Sequence, residues 1–200
     1  MFRAPCVNLA VPAVSSFLNL YFQFAGSRPP PHSYIFDSFE GLPEPDARTR
    51  HDQWKRGEYK FGYEEFFKRM DFFRIPREGY TAVKGFFSET LRGDTVQTGP
   101  LALVHIDCDL FDSTRLALSF IEEDIQQGTV VLFDDYYCSR GSPELGESGA
   151  FRDWISCDER WIAVPRHDYS FHGKAFILSK RLPDSKKQKL PMCVPSEAIG

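Results

Sequence analysis

Four aspartates follow two apolar runs near the middle of the chain. Asp107 and Asp109 come after the first run, and Asp134 and Asp135 come after the second. A helix-like stretch separates the runs, which predicts two neighbouring parallel strands whose carboxyl ends meet at one edge of a sheet. Four carboxylates in one crevice repel each other unless they share a cation. The spacing therefore predicts a divalent metal site.

The chemistry that such a cluster offers is the activation of a hydroxyl group. Mg²⁺ prefers oxygen ligands and keeps some waters, so three carboxylates leave room for a substrate oxygen. A hydroxyl on the cation loses its proton more readily, and a carboxylate that does not bind the cation can accept that proton. Asp107 and Asp109 point to the same face if the strand continues through them. Single aspartates after strands also cap the following helix, a role that Asp112 or Ser113 would take here.

A further aspartate, Asp37, follows the apolar residues Tyr34, Ile35 and Phe36. An acidic residue at the end of the second strand often hydrogen-bonds the ribose of a nucleotide-like cofactor. The segment 107–109 also has the D-x-D form that holds the metal of a nucleotide-sugar in glycosyltransferases. That alternative stays open, although it needs neither of the aspartates after the second run.

Apolar runs and turn signals alternate along the whole chain. They predict an α/β fold, a Rossmann-like, doubly wound and mostly parallel sheet with helices on both faces, in which ligands bind beyond the carboxyl ends of the strands. The predicted strands are 6–11, 33–36, 81–83, 101–106, 130–133, 161–164 and 174–178, the last being antiparallel. The predicted helices are 14–24, 59–73, 113–125 and 150–156, and the loops 41–57 and 139–149 are expected to cover the acceptor substrate.

Composition places the chain among globular proteins. Its 200 residues are 42% hydrophobic, and we expect one domain at residues 1–180 followed by a disordered basic tail at 181–200. The net charge of −4 gives no basic surplus for nucleic-acid binding. Five irregularly spaced cysteines fit free thiols in a cytoplasmic protein.

The apolar stretch near the N-terminus bears on membranes and partners. Polar residues interrupt it, which argues against a secretory signal and against a membrane span. If the stretch forms a helix, its apolar face is available for packing against a second copy of the chain, which leaves a homo-oligomer open.

Four segments resemble, in order and spacing, the macrocin O-methyltransferase family (TylF/MycF type). They are FDSFEGLPEP at 36–45, VKGFFSETL at 83–91, HIDCDLFDST at 105–114 and VVLFDDY at 130–136. The resemblance covers roughly residues 33–180 and implies a class I methyltransferase fold that uses S-adenosylmethionine and Mg²⁺ to methylate a hydroxyl of a small molecule, often a sugar.

Matching positions imply roles for individual residues. The resemblance makes Asp107, Asp134 and Asp135 the metal ligands and Asp109 the general base. It also implies a set of residues around the cofactor, with Asp37 and Ser38 at its ribose and adenosine region and Gly85, Phe86 and Ser88 at the adenine.

The chain departs from the family pattern after its first strand. The family has a glycine-bearing loop there whose backbone approaches the cofactor, but this chain has Asn8, Ala10, Val14 and Ser15 at the corresponding places. The helical segment that usually precedes the first strand is also missing. Three interpretations follow: a truncated gene product, a divergent enzyme, or an inactive relative that binds without catalysis.

Overall fold

A computed structural model describes residues 6–9, 32–49, 54–92 and 95–182. Three predictions fall outside these residues. They are the helix at 14–24, the replaced glycine loop beyond residue 9, and the tail from residue 183 onward.

The described residues form one seven-stranded sheet. Its strands are β1 (Cys6–Leu9), β2 (Ser33–Asp37), β3 (Tyr80–Lys84), β4 (Leu101–Ile106), β5 (Ile125–Phe133), β6 (Trp161–Tyr169) and β7 (Gly173–Lys180). They lie in the order β3-β2-β1-β4-β5-β7-β6. Strands β1 to β5 pair in parallel, β7 runs antiparallel to β5, and β6 runs antiparallel to β7. The predicted doubly wound, mostly parallel sheet is confirmed, and so is the antiparallel strand near its end.

Helices pack on both faces of this sheet. They are α1 (Tyr63–Phe72), α2 (Phe87–Thr90), α3 (Phe111–Ile121) and α4 (Gly146–Cys157), with short 3₁₀ turns at Arg77–Gly79 and Glu122–Asp124. Side chains alternate along β2, so Phe36 meets Phe120 of α3 while Ile35 belongs to the cluster around Phe66 of α1. None of the helices in the described ranges is both long and apolar enough to cross a membrane.

Strand β4 lies in the middle of the sheet, and it has the predicted bounds. Its Val104 and Ile106 have no exposed surface, which agrees with the near-continuous apolar run that a buried parallel strand requires. Because β4 pairs with both β1 and β5, the residues that follow it emerge at the centre of the carboxyl edge.

Helix α4 begins at Gly146, four residues before the predicted start at 150. The glycine and serine content of this stretch predicted a loop. Gly146 has a φ of +55°, and an added Cβ there would lie 2.8 Å from the Ser139 Oγ, so the glycine serves a close packing contact at the helix start.

Candidate active site

Three of the four predicted carboxylates come together where β4 and β5 end. Asp107 follows β4, Asp134 and Asp135 follow β5, and one carboxylate oxygen from each lies within 4.8 Å of the other two. The pairing of the strands brings them there, since Ile106 lies beside Phe133 and the Asp134 N–H donates to the carbonyl of Ile106 at 3.0 Å. Oxygen ligands at this spacing suit a hard dication.

Burial and mutual repulsion make this cluster costly to ionise. Asp107 is 5% exposed. Desolvation, and then repulsion from Asp134, Asp135 and Asp37, raises the pKa of Asp107 well above its usual range. Desolvation and then Asp135 also raise the pKa of Asp134. A divalent cation offsets this cost because its charge favours the ionised carboxylates.

The fourth carboxylate, Asp109, reaches the cluster by an unpredicted route. Strand β4 ends at Ile106, and Asp109 has a left-handed φ of 60°, so the strand does not continue through Asp109 as the shared-face prediction required. Asp109 is nevertheless 6% exposed and lies near the acidic cluster, whose carboxylates repel its charge. Desolvation is the largest cause that raises the pKa of Asp109, and Asp135 is the next. Aspartate adopts this backbone conformation more readily than most residues other than glycine.

The predicted cofactor residues lie at the ends of β2 and β3. Asp37 ends β2, and its carbonyl accepts the N–H of Gly85 at 2.9 Å. Gly85 has a φ of +145°, and an added Cβ would lie 2.7 Å from Thr90 Cγ2. Glycine is therefore required where α2 approaches β3. The Ser38 hydroxyl donates to the carbonyl of Gly41 at 2.8 Å and so stabilises the turn after β2.

A cavity of about 430 Å³ connects the two groups of predicted residues. Six of them line it, four from the cofactor set and two from the acidic set: Asp37, Ser38, Phe86, Ser88, Asp107 and Asp109. The other three, Gly85, Asp134 and Asp135, are not among its lining residues.

A strap, which we define as residues 41–49 and 54–59, borders this cavity. The Leu42 N–H donates to the carbonyl of Glu58, and the Gly57 N–H donates to the carbonyl of Leu42, both at 2.9 Å. Leu42 and Trp54 pack with Leu110, the residue before α3. The strap is thus fastened to the loop that carries Asp109.

The start of α3 differs from its prediction. The helix begins at Phe111, its N-cap Leu110 makes no side-chain hydrogen bond, and the expected cap by Asp112 or Ser113 is wrong. The strap supplies the cap instead. The Phe111 N–H donates to Thr49 Oγ1 at 2.8 Å, and the Asp112 N–H donates to Asp46 Oδ2 at 3.1 Å.

Three residues near the site were missed by the sequence analysis. Glu147, in the first turn of α4, is 1% exposed and accepts the backbone N–H groups of Cys108 and Asp135. Desolvation, followed by repulsion from Asp135, raises its pKa well above the usual range. No sequence signal marks it, because a lone glutamate in a stretch rich in glycine and serine is typical of a loop.

The other two are tyrosines. Tyr59 ends the strap with a φ of 57°, lines the cavity, and is 50% exposed. Burial and then Asp109 raise its pKa. The Tyr169 hydroxyl is buried without a hydrogen-bond partner among the described residues. Desolvation raises its pKa, and Asp134 is the next cause.

A sequence model of the family described as macrocin-O-methyltransferase (TylF) matches residues 18–154, which is more than half of the chain. The chain belongs to the macrocin-O-methyltransferase family. The resemblance found in the four sequence segments is therefore confirmed.

One curated relative is an enzyme of Streptomyces olivaceus, 8-demethyl-8-(2,3-dimethoxy-alpha-L-rhamnosyl)-tetracenomycin-C 4'-O-methyltransferase. It is 29% identical over 109 residues, which are 52% of this chain and 41% of the relative. The chain thus spans less than half the length of the curated relative that it matches.

Two solved structures share the fold. The O-methyltransferase NovP has a TM-score of 0.68 at 17% identity, with 88% of this chain and 72% of that chain covered. The calicheamicin methyltransferase CalS11 has a TM-score of 0.67 at 22% identity, with 87% of this chain and 72% of that chain covered. These identities support the fold and no finer likeness.

Proposed function

We propose that this protein transfers a methyl group from S-adenosylmethionine to a hydroxyl of a small molecule, a sugar in particular, with the help of Mg²⁺. The observation that carries the proposal is the acidic cluster. The chain belongs to a methyltransferase family, and three of its carboxylate oxygens lie within 4.8 Å of one another. Asp109 is buried beside these oxygens, and it lines the same cavity as Asp37.

The residues fit the divalent cation. Asp107, Asp134 and Asp135 supply oxygen donors only. Burial, and then repulsion from the neighbouring carboxylates, raises the pKa of Asp107, and a cation relieves that repulsion. When bound, Mg²⁺ supplies a positive charge that lowers the pKa of an acceptor hydroxyl.

Asp109 takes the role of general base in this proposal. It is not one of the three clustered ligands, and it lines the cavity where an acceptor enters. Its carboxylate accepts the proton of the acceptor hydroxyl, and the acceptor oxygen thereby becomes the nucleophile. A cation beside it keeps Asp109 ionised, which its raised pKa otherwise opposes.

The cofactor occupies the other part of the cavity in this proposal. When bound, S-adenosylmethionine supplies the electrophilic methyl group. Asp37, at the carboxyl end of β2, accepts hydrogen bonds from the ribose, and Ser38 lies beside it. Phe86 and Ser88 border the adenine, with Gly85 keeping the backbone close.

The proposal of a sugar acceptor rests on the curated relative. The curated relative's name describes methylation at the 4' position of a compound that carries a rhamnosyl group. Asp109 lines the cavity of about 430 Å³, so an acceptor that enters this cavity would meet its carboxylate.

A second candidate is a non-catalytic relative that binds without methyl transfer. The observation that favours it is Asn8 and Ala10 where the family has an acidic residue and a glycine. The glycosyltransferase alternative loses its support, because the family match is to methyltransferases.

Calorimetry with S-adenosylhomocysteine, with and without Mg²⁺, tests the proposal. We expect saturable binding of one molecule per chain. In a separate methyl-transfer assay with S-adenosylmethionine, we expect Mg²⁺-dependent methylation of the rhamnosylated tetracenomycin that the relative methylates. Saturable binding without any methylation would favour the non-catalytic candidate. No saturable binding at millimolar concentrations would overturn the use of this cofactor.

A further inference from the structure

The carboxylate of Glu147 joins the two loops that carry the acidic cluster. Its Oε1 accepts the N–H of Cys108 at 3.2 Å, and its Oε2 accepts the N–H of Asp135 at 2.9 Å. Cys108 stands between Asp107 and Asp109, and Asp135 is itself part of the cluster. One side chain therefore ties the end of β4 to the end of β5.

The position of Glu147 is fixed from its own side as well. It lies in the first turn of α4, directly after Gly146, whose N–H donates to the carbonyl of Arg48 at 2.9 Å. The Arg48 guanidinium in turn donates to the carbonyl of Glu144 and pairs with Asp153 at 2.6 Å. The start of α4 is thus held by the strap, and Glu147 has little freedom to move.

A carboxylate in the surroundings of Glu147 is not expected to stabilise the fold by itself. It is 1% exposed, and no basic side chain among the described residues forms an ion pair with it. Three aspartates of the site, Asp107, Asp109 and Asp135, repel its charge. A buried carboxylate that faces other carboxylates is costly unless a cation is near.

We propose that Glu147 is a positioning residue that sets the spacing of Asp107 and Asp135 around a divalent cation. It acts through the two backbone N–H groups, not through contact with the cation, and the loop at Cys108 also sets where Asp109 lies. This inference rests on the metal site of the proposed function. Groups that orient metal ligands commonly change metal affinity by about 10–100-fold when they are replaced.

Binding of Mn²⁺, followed by electron paramagnetic resonance, tests the inference in the full chain. Glu147→Gln keeps the size of the side chain but replaces one acceptor oxygen by an N–H donor. Glu147→Asp keeps the charge but is one methylene too short to reach both N–H groups. Glu144→Gln, on the exposed residue three positions earlier, is the matched control.

We expect both Glu147 variants to bind Mn²⁺ about 10–100-fold more weakly than the unaltered chain, and Glu144→Gln to bind normally. Affinity for S-adenosylhomocysteine without metal should stay within about threefold, since Glu147 does not line the cavity. Normal Mn²⁺ affinity in Glu147→Asp alone would show that charge, not spacing, matters, and would overturn the inference. Normal affinity in both variants would also overturn it.

If the unaltered chain binds no Mn²⁺, the proposed metal site is wrong, and this inference fails with it.

Amide hydrogen exchange on the unaltered chain gives an independent measurement that needs no variant. We expect the N–H groups of Cys108 and Asp135 to be protected together and Mg²⁺ to slow exchange at both. Protection at one and free exchange at the other would contradict the bridge.

Discussion

The two parts of the cavity are built in different ways. At the ends of β4 and β5, the acidic part combines two almost fully buried carboxylates, Asp107 at 5% and Asp109 at 6% exposed, with the half-buried Asp134 and Asp135. The pKa values of Asp107 and Asp109 lie above their usual range. At the ends of β2 and β3, the cofactor part is made by backbone contacts, such as the Gly85 N–H on the Asp37 carbonyl, and by partly exposed side chains.

The acidic part therefore depends mainly on charge, and the cofactor part depends mainly on close packing. The acidic part carries an electrostatic cost that a cation offsets, so removing a carboxylate there should change function more than folding. The cofactor part depends on close approach of backbone and helix, so a bulkier residue there should change folding and cofactor affinity together. The first three predictions below each act on one part and use the other as a control.

The largest expected effect is on turnover, in Asp109→Asn. The amide cannot accept the acceptor's proton, so kcat should fall by about 10²–10⁴-fold. The free energy of unfolding should stay equal or rise, because asparagine does not ionise, so folding no longer requires burial of a charge or uptake of a proton at this position. Activity is measured by methyl transfer, and affinity for S-adenosylhomocysteine should not change. Asp71→Asn, exposed on α1, is the control, and near-normal activity in Asp109→Asn would reject the assignment of the base.

The second largest effect is expected from Gly85→Ala, which changes the cofactor part. The added Cβ would lie 2.7 Å from Thr90 Cγ2 at a φ of +145°. We expect a loss of about 2–3 kcal/mol in the free energy of unfolding and weaker binding of S-adenosylhomocysteine, with Mn²⁺ affinity unchanged. Gly99→Ala is the control, because Gly99 also has a positive φ but an added Cβ meets nothing within 4 Å. Equal losses in the two variants would mean that the contact with α2 is not what requires glycine.

A third effect is a pH dependence confined to the acidic part. The pKa values of Asp107, Asp109 and Asp134 lie above their unfolded values, so the metal-free protein is most stable below the unfolded pKa and loses stability as the pH rises through the folded-state values. The cation must displace those protons, so its affinity rises with pH. We expect Mg²⁺ to bind about tenfold more tightly at pH 8 than at pH 6, or about 1.4 kcal/mol.

This pH effect is measured as the shift in Tm that a fixed Mg²⁺ concentration causes at each pH. Binding of S-adenosylhomocysteine without metal should change much less over the same range. A Mg²⁺ shift in Tm that is equal at both pH values, or larger at pH 6, would argue against cation binding by the buried carboxylates.

The smallest effect concerns the strap that connects the two parts. Thr49→Ala removes the acceptor for the Phe111 N–H and should lower the free energy of unfolding by about 1 kcal/mol. Thr49→Ser keeps the hydroxyl and should recover most of this loss. Chemical denaturation measures both variants. A Thr49→Ala protein as stable as the unaltered one would mean that water replaces the cap.

Local patterns made much of the fold and the acidic cluster predictable. Strand β4 was predicted at its observed bounds because a largely buried parallel strand shows as a run that is apolar except for His105 between Pro100 and Asp107. The cluster followed from the same reasoning, since carboxylates after neighbouring parallel strands must meet at one edge.

Features that depend on distant residues were not predictable. The side chains of Asp46 and Thr49 cap α3. Asp46 accepts the N–H of Asp112, 66 positions later, and Thr49 accepts the N–H of Phe111, 62 positions later. The role of Glu147 depends on burial between two loops. Aspartate adopts the left-handed region more readily than most residues, but its type alone does not say that Asp109 adopts it here. In each case the partners meet only after the sheet has formed.

The central claim is that Asp107, Asp134 and Asp135 hold one dication between β4 and β5. A crystal structure of the protein with Mn²⁺, with an anomalous difference map, tests it most directly. The account predicts one strong peak about 2.0–2.2 Å from an oxygen of each of these three aspartates. An empty cluster at saturating Mn²⁺, or a peak bound only by other residues, would contradict it.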